Sequence, residues 1–227
     1  MLNNVHGAGC KESDPLETRG VRQHDQSVMI IAVEGCVGAG KTTLAEGLAA
    51  VRGTQLLLED LSAVPFLEEF HRDPVGCAVE TEFAFLLQHY HQIRLAARQR
   101  GELIADFTFA KDRLFAEMNM TGDHERAIFL DLFRLLETQL PAVALTIFIS
   151  ASDDLILHRI RQRARSFELA TDPSYYRRLN AGYESFFAEY PGEILHVRAD
   201  EVDFLGDPKL FRSLSCEIDD RLRALVR

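Results

Sequence analysis

The 227-residue sequence has no tryptophan, four cysteines and only four lysines among its 25 basic residues. The cysteines, Cys10, Cys36, Cys77 and Cys216, are scattered and form no C-x-x-C pair. That argues against a disulfide framework or a zinc site and for reduced thiols in a cytoplasmic protein. No run of about 18 apolar residues occurs, which argues against a membrane-spanning helix. Residues 1–27 are polar and lack the basic start and apolar stretch of a signal peptide. They are expected to be a flexible tail before a single domain over 28–227. Positive charge is also scarce: 25 Lys+Arg stand against 35 Asp+Glu, a formal net charge of −10. An extended nucleic-acid surface needs clustered cations, so this balance excludes one but leaves a small anionic ligand open. No internal repeat, low-complexity segment or long linker interrupts the chain.

What is present is an ordinary globular composition, 47% hydrophobic and 26% charged, at a length that suits one large domain. Val28–Val33 is an uninterrupted apolar run, the signature of a strand buried on both faces. Similar short runs recur at Gln55–Leu58, Glu102–Ala105, Ala144–Ile149 and Ile194–Val197. Between them apolar residues step by three or four. One such series is Val79, Phe83, Leu86, Tyr90, Ile93 and Ala97; another is Tyr176, Leu179, Tyr183, Phe186 and Tyr190; a third is Leu210, Leu214, Ile218, Leu222 and Leu225. Asp172-Pro173 and Asp207-Pro208 each place a capping carboxylate before a proline suited to a first helical turn. Strands alternating with helices predict a three-layer α/β fold with a parallel sheet of about five strands.

Gly35-Cys36-Val37-Gly38-Ala39-Gly40-Lys41-Thr42 matches G-x-x-x-x-G-K-[ST], with a buried strand before it and a helix from Thr43 after it. Glycines allow a tight turn whose backbone N–H groups surround phosphate oxygens, and the helix N-terminus adds a favourable dipole. Lys41 then neutralises the β- and γ-phosphates and the Thr42 hydroxyl ligates Mg²⁺. The loop alone implies a nucleoside triphosphate and leaves the reaction open. Four arginines fall between Arg159 and Arg165; Arg159 and Arg163 share one face of a helix, and forked guanidinium groups suit multivalent phosphate binding.

Other segments, in order, are 57–60 (LLED), 64–74 (VPFLEEFHRDP), 82–92 (EFAFLLQHYHQ), 105–107 (ADF), 159–168 (RIRQRARSFE) and 203–204 (DF). With the phosphate loop they make nearly all of 28–227 resemble the deoxyribonucleoside kinases, closest to the bacterial deoxyadenosine/deoxyguanosine kinase branch. The resemblance implies a P-loop kinase fold with an arginine-rich lid and ATP-dependent, Mg²⁺-requiring phosphorylation of a deoxynucleoside 5′-hydroxyl. It makes Glu59 the catalytic carboxylate and Asp106 the acid that helps hold Mg²⁺ with Thr42. Arg159, Arg163 and Arg165 become lid residues, Arg159 acting in transfer and all three facing phosphate. Arg161 lies off that spacing and is expected to face solvent. Asp203 and Phe204 fall in the stretch that holds the adenine of ATP. Glu168 falls where a Glu holds the sugar 3′-hydroxyl, with His71 at its usual Tyr partner's place. Glu82 aligns with the base-reading position, often Gln, and His89 with a position that is often Arg. A carboxylate at 82 only accepts, which leans toward deoxyguanosine. Phe66 and Phe85 are candidates for packing around sugar or base, or for plain core. The family also dimerises through helices like Gly76–Arg98 and Asp123–Gln139, which implies a homodimer.

Three departures stand out. Phe107 replaces an Arg found in many members, leaving Lys111 as a candidate substitute cation or a solvated helix residue. Ala164 replaces the usual Gly; if that position needs a positive φ, alanine is strained there. His71 replaces Tyr. Two other readings stay open: a nucleoside monophosphate kinase such as a thymidylate kinase relative, and a nucleotide-binding protein that has lost transfer activity. The mainly acidic and neutral residues near the acceptor site, Glu59, His71, Glu82 and His89, suit an uncharged acceptor better than a phosphorylated one.

Overall fold

The computed structural model describes residues 28–204 and 207–225, so the expected tail lies outside the described residues. Five strands form one sheet: β1 (Met29–Gly35), β2 (Gln55–Leu57), β3 (Glu102–Ala105), β4 (Val143–Ser150) and β5 (Ile194–Arg198). Every pairing is parallel and the order is β2-β3-β1-β4-β5. These are the five apolar runs of the sequence. The order, which no local pattern encodes, puts β1 at the centre, with chain connections leaving toward opposite edges. Ligand crevices in such sheets open at the C-terminal end of the strand where the order reverses.

The helices are α1 (Lys41–Arg52), α2 (Leu67–Arg72), α3 (Ala78–Ala96), α4 (Lys111–Asn119), α5 (Asp123–Glu137), α6 (Asp153–Arg163), α7 (Ser166–Ala170), α8 (Pro173–Ala188) and α9 (Pro208–Leu225). Ile31 and Ile104 join a core cluster with Leu44 and Leu48 of α1 and Ile218 of α9. Their neighbours Ile30 and Leu103 join a second cluster with Leu86, Met120, Phe129 and Phe133 from the α3 to α5 side. Successive strand residues point to opposite faces, so two clusters mean a sheet covered on both sides, the three layers expected. The caps are those the sequence signals. Asp172 accepts from Ser174 N (2.7 Å) ahead of Pro173, and Asp207 accepts from Lys209 N (2.9 Å) ahead of Pro208.

Candidate active site

The phosphate loop leaves β1 at its C-terminal edge and turns directly into α1. Two glycines fix that path. A Cβ at Gly35 would sit 2.5 Å from the Ile149 carbonyl oxygen, and Gly40, at φ 108°, would press one against the Phe204 ring at 3.0 Å. No L-side chain fits either position. Lys41 Nζ donates to the Gly35 (2.8 Å) and Cys36 (3.3 Å) carbonyls. Burial, with the nearby Lys111 charge adding to it, lowers the Lys41 pKa. Burial pushes the Cys36 thiol up to about 12, so it stays protonated. Arg159 reaches down from α6 and donates to the Ala39 carbonyl at 2.6 Å, with its guanidinium 5.9 Å from the Phe204 ring centre. The lid arginine, the loop and the 203–204 segment thus meet at one edge of a cavity of about 600 Å³.

Opposite the loop stand the carboxylates. Thr42 Oγ1 donates to Asp106 Oδ2 (2.7 Å), and the backbone N–H of Glu59 donates to Asp106 Oδ1 (2.7 Å). Asp106 therefore ties the ends of β2 and β3 to α1. Lys111 is 5% exposed, with Nζ 2.5 Å from Glu59 Oε1. That corrects the solvated-residue reading of Lys111: being first in α4 points its ammonium into the crevice. His89, aligned with a nucleoside-binding position that is often Arg, is 0% exposed and sits behind Glu59. Its Nε2 lies 3.0 Å from Glu59 Oε1 and its Nδ1 2.7 Å from Asp112 Oδ1, so both ring nitrogens are engaged away from the cavity. Phe107 is buried with its ring 4.6 Å from the His89 ring, and Lys111 Nζ lies 5.6 Å from the Phe107 ring centre.

These contacts set the charges. Burial would raise the Glu59 carboxyl, but Lys111 and His89 outweigh it and hold Glu59 well below the usual carboxylate range. Burial opposes a charged His89, yet Asp112 and Glu59 raise it to about 9. Lys111 is raised in spite of burial by Glu59, Glu34 and Asp112. At neutral pH the cluster is an anionic Glu59 with both cations on one oxygen. Its other oxygen, Oε2, takes no hydrogen bond from the described residues.

The lid arginines meet one buried acid of the cavity wall. Glu168 accepts from Arg163 twice (Nη2 to Oε1 2.5 Å, Nε to Oε2 3.1 Å) and from Arg165 at 3.4 Å. Arg161 is exposed, as its spacing implies. Ala164 caps α6 at φ 54°, the left-handed backbone that the departure from glycine put in question. His71 lines the cavity and pairs with Thr171 Oγ1 at 2.6 Å; burial lowers its pKa against the pull of Glu168. Phe85 lines the cavity, whereas Phe66 lies outside it, 47% exposed and at φ 69°. Glu82 also lines it and accepts from Asn119 Nδ2 at 2.7 Å. Phe167 and Tyr175 also line the cavity, and Asn119 and Asp112 stand behind it on Glu82 and His89; the motif reading gives none of the four a role. Lys111, Phe115 and Asn119 are four apart on α4, a helical stripe that in hindsight marks one face pointing at the site.

Thr42 and Asp106 offer a hydroxyl and a carboxylate oxygen side by side. Such a pair fits Mg²⁺, which takes one or two protein oxygens and completes its shell with phosphates and water.

Comparison with known proteins agrees with this geometry. Residues 31–222 match the family model for deoxynucleoside kinase. The deoxyguanosine kinase of Bacillus subtilis (strain 168) is 30% identical over 199 residues, covering 84% of this chain and 96% of that protein. The deoxyadenosine kinase of Lactobacillus acidophilus is 30% identical over 218 residues, covering 87% of this chain and 98% of that protein. Among solved structures, the deoxyadenosine kinase from M. mycoides with the products dCMP and a flexible dCDP bound superposes with a TM-score of 0.73. It is 25% identical over 82% of this chain and 97% of that one. With the phosphate loop, the paired carboxylates and the arginine lid all falling inside the matched span, the chain belongs to the deoxynucleoside kinase family.

Proposed function

We propose that this phosphotransferase moves the γ-phosphoryl group of ATP to the 5′-hydroxyl of a purine deoxynucleoside. The observation that carries the reading is Glu59: an anionic carboxylate in the same cavity as the phosphate loop, with one oxygen committed to Lys111 and His89 and the other unbonded among the described residues. Oε2 is the acceptor for the 5′-hydroxyl proton as that oxygen attacks phosphorus. Lys111 takes the place of the cation that Phe107 cannot supply. Lys41, Arg159, Arg163 and Arg165 neutralise the phosphates, and closing the lid requires Arg163 and Arg165 to exchange some contact with Glu168 for phosphate oxygens. Thr42 and Asp106 would hold Mg²⁺, which when bound screens the phosphate charge. Asp203 and Phe204 border the nucleotide side, while Glu168 and His71 border the sugar. Glu82 faces the base, and an ionised Glu82 favours deoxyguanosine. The relatives named for deoxyguanosine and deoxyadenosine support the purine choice.

A homodimer through α3 and α5 is supported by exposed Leu87, Leu95, Ile128 and Leu135 on those helices. A cytoplasmic location rests on the scattered thiols, of which Cys36, Cys77 and Cys216 are free.

The test is a coupled assay with Mg-ATP and each deoxynucleoside, beside the same assay with deoxynucleoside monophosphates. Turnover with purine deoxynucleosides is expected. Turnover with monophosphates alone would make the chain a monophosphate kinase, and no turnover despite ATP binding would make it a nucleotide-binding scaffold.

A further inference from the structure

Glu59 follows β2, a strand of three residues at the edge of the sheet, and residues 58–60 belong to no helix or strand. The sheet alone therefore leaves the path of this segment open. From the sheet side, Asp106 takes the Glu59 N–H. From the other side, one turn of α3 reaches the chain on both flanks of Glu59. Gln92 Nε2 donates to the Leu58 carbonyl at 3.1 Å, and Gln88 Nε2 donates to the Asp60 carbonyl, which also accepts from Ala63 N at 3.4 Å. Both polar groups of the Leu58–Glu59 peptide are thus bonded to side chains. His89, on the same turn, meets the Glu59 carboxylate. Residues four apart share one face of a helix, so Gln88 and Gln92 act on the segment together.

α3 also carries buried side-chain oxygens with no hydrogen-bond partner among the described residues: Thr81 Oγ1, Glu82 Oε2, and Oε1 of both Gln88 and Gln92. The last two follow from the grip on the chain. A carbonyl only accepts, so each amide must turn its –NH₂ toward residues 58–60, and its oxygen is left without a donor. An unsatisfied buried acceptor costs stability. Two of them, on the two residues that hold one segment, mark a place where local stability is given up for position.

We infer that Gln88 and Gln92 are positioning residues for phosphoryl transfer: by gripping the chain on both sides of Glu59, they set where its free Oε2 meets the attacking 5′-hydroxyl. The inference rests on the reading of Glu59 as the carboxylate that accepts the hydroxyl proton. Lys111 and His89 meet Oε1 and orient the carboxylate, while the backbone that carries it is placed by Asp106, Gln88 and Gln92. Neither glutamine lines the cavity, so each acts through Glu59 and not on the substrate. In-line attack is sensitive to placement, and a shift of about 1 Å can cost about 10²-fold in rate. Methionine in place of either glutamine keeps the length and the helix propensity of the side chain and removes only the donor.

The test makes Gln88→Met and Gln92→Met singly, together, and each combined with Glu59→Gln. Each single is expected to lower kcat roughly tenfold and the pair about 10²-fold, with KM for Mg-ATP and for a purine deoxynucleoside within about twofold of wild type. In the Glu59→Gln background, whose residual rate is read by single-turnover transfer of radiolabelled phosphate, adding either methionine should change the rate by less than about threefold, because the group it places is gone. A role in folding alone would lower the rate by the same factor in both backgrounds and weaken the protein in urea, and that result overturns the proposal. So does an unchanged kcat in both singles while Glu59→Gln is impaired. If Glu59→Gln itself turns over like the wild type, the reading of Glu59 as the proton acceptor fails, and the proposal fails with it. The two singles are read separately, so a misfolded one leaves the other to decide.

Discussion

Glu59 holds Lys111 and His89 on a single oxygen, and this arrangement answers two needs with one geometry. The free oxygen stays available for a hydroxyl, and the two cations keep the carboxylate ionised inside a largely buried cluster. A base held this strongly ionised is a weak proton acceptor. It fits phosphoryl transfer, where the attacking oxygen needs orientation more than early deprotonation. Glu59→Gln should therefore keep ATP affinity, measured by nucleotide titration, while kcat falls by about 10²–10⁴-fold. An unchanged kcat would remove Glu59 from the role. The ion pair also carries a stability prediction. Lys111→Met leaves Glu59 short of its main partner and should cost about 3–5 kcal/mol in urea unfolding. Pairing it with Glu59→Gln removes the orphaned charge, so the double variant should lose clearly less than the sum of the singles. Strict additivity would mean that the short Lys111–Glu59 contact carries no coupling energy.

At the scale of elements, much was legible because each signal was local. All five strands read as apolar runs because parallel strands are buried on both faces, and the phosphate loop is a spacing that needs only its flanking strand and helix. The carboxylate cluster was legible only in part. Lys111 and His89 lie 22 positions apart on different helices, and whether either meets Glu59 depends on how α3 and α4 pack beside β2. Nothing in a local window distinguishes a buried Lys111 from a solvated one, or shows that the His89 ring meets Glu59 and Asp112. The lid shows the reverse case, where one residue type exposed a backbone conformation. Ala164 joins α6 to α7 at φ 54° and is exposed, so its methyl group packs on nothing that compensates the strain. A left-handed alanine costs about 1–2 kcal/mol, against roughly 0.5–1 kcal/mol for the extra freedom a glycine loses on folding. Ala164→Gly should thus stabilise the protein by up to about 1 kcal/mol, a rise in Tm of about 2–4 °C at this chain length. A lower Tm would show that the lid turn does not hold this conformation in solution.

For the whole molecule, the net charge of −10 conceals a divided interior. Lys41, Arg159, Arg163 and Arg165 line the cavity around the phosphate loop, while two acids that line it, Glu59 and Glu82, are held in opposite protonation states. Those states make stability depend on pH in a calculable direction. Glu59 is held below its ordinary value of 4.5, so its contribution is present above that pH and is lost as pH falls. His89 is raised from 6.5 to about 9, so its contribution is complete below the lower value and is lost as pH rises through the upper one. Glu82 is raised from 4.5 to about 8, so folding holds its proton more tightly than the unfolded chain does throughout that window, and stability falls as pH rises across it. Between about pH 6.5 and about pH 8 both groups act together, each contributing a slope of up to about 1.4 kcal/mol per pH unit. Glu82→Gln removes one of the two contributors and leaves His89. Urea unfolding at several pH values in that window should show the wild type losing stability about twice as steeply as the variant, with the variant the more stable at the alkaline end. Parallel profiles would mean that Glu82 ionises normally in the folded protein, and that its unpaired oxygen is solvated rather than protonated.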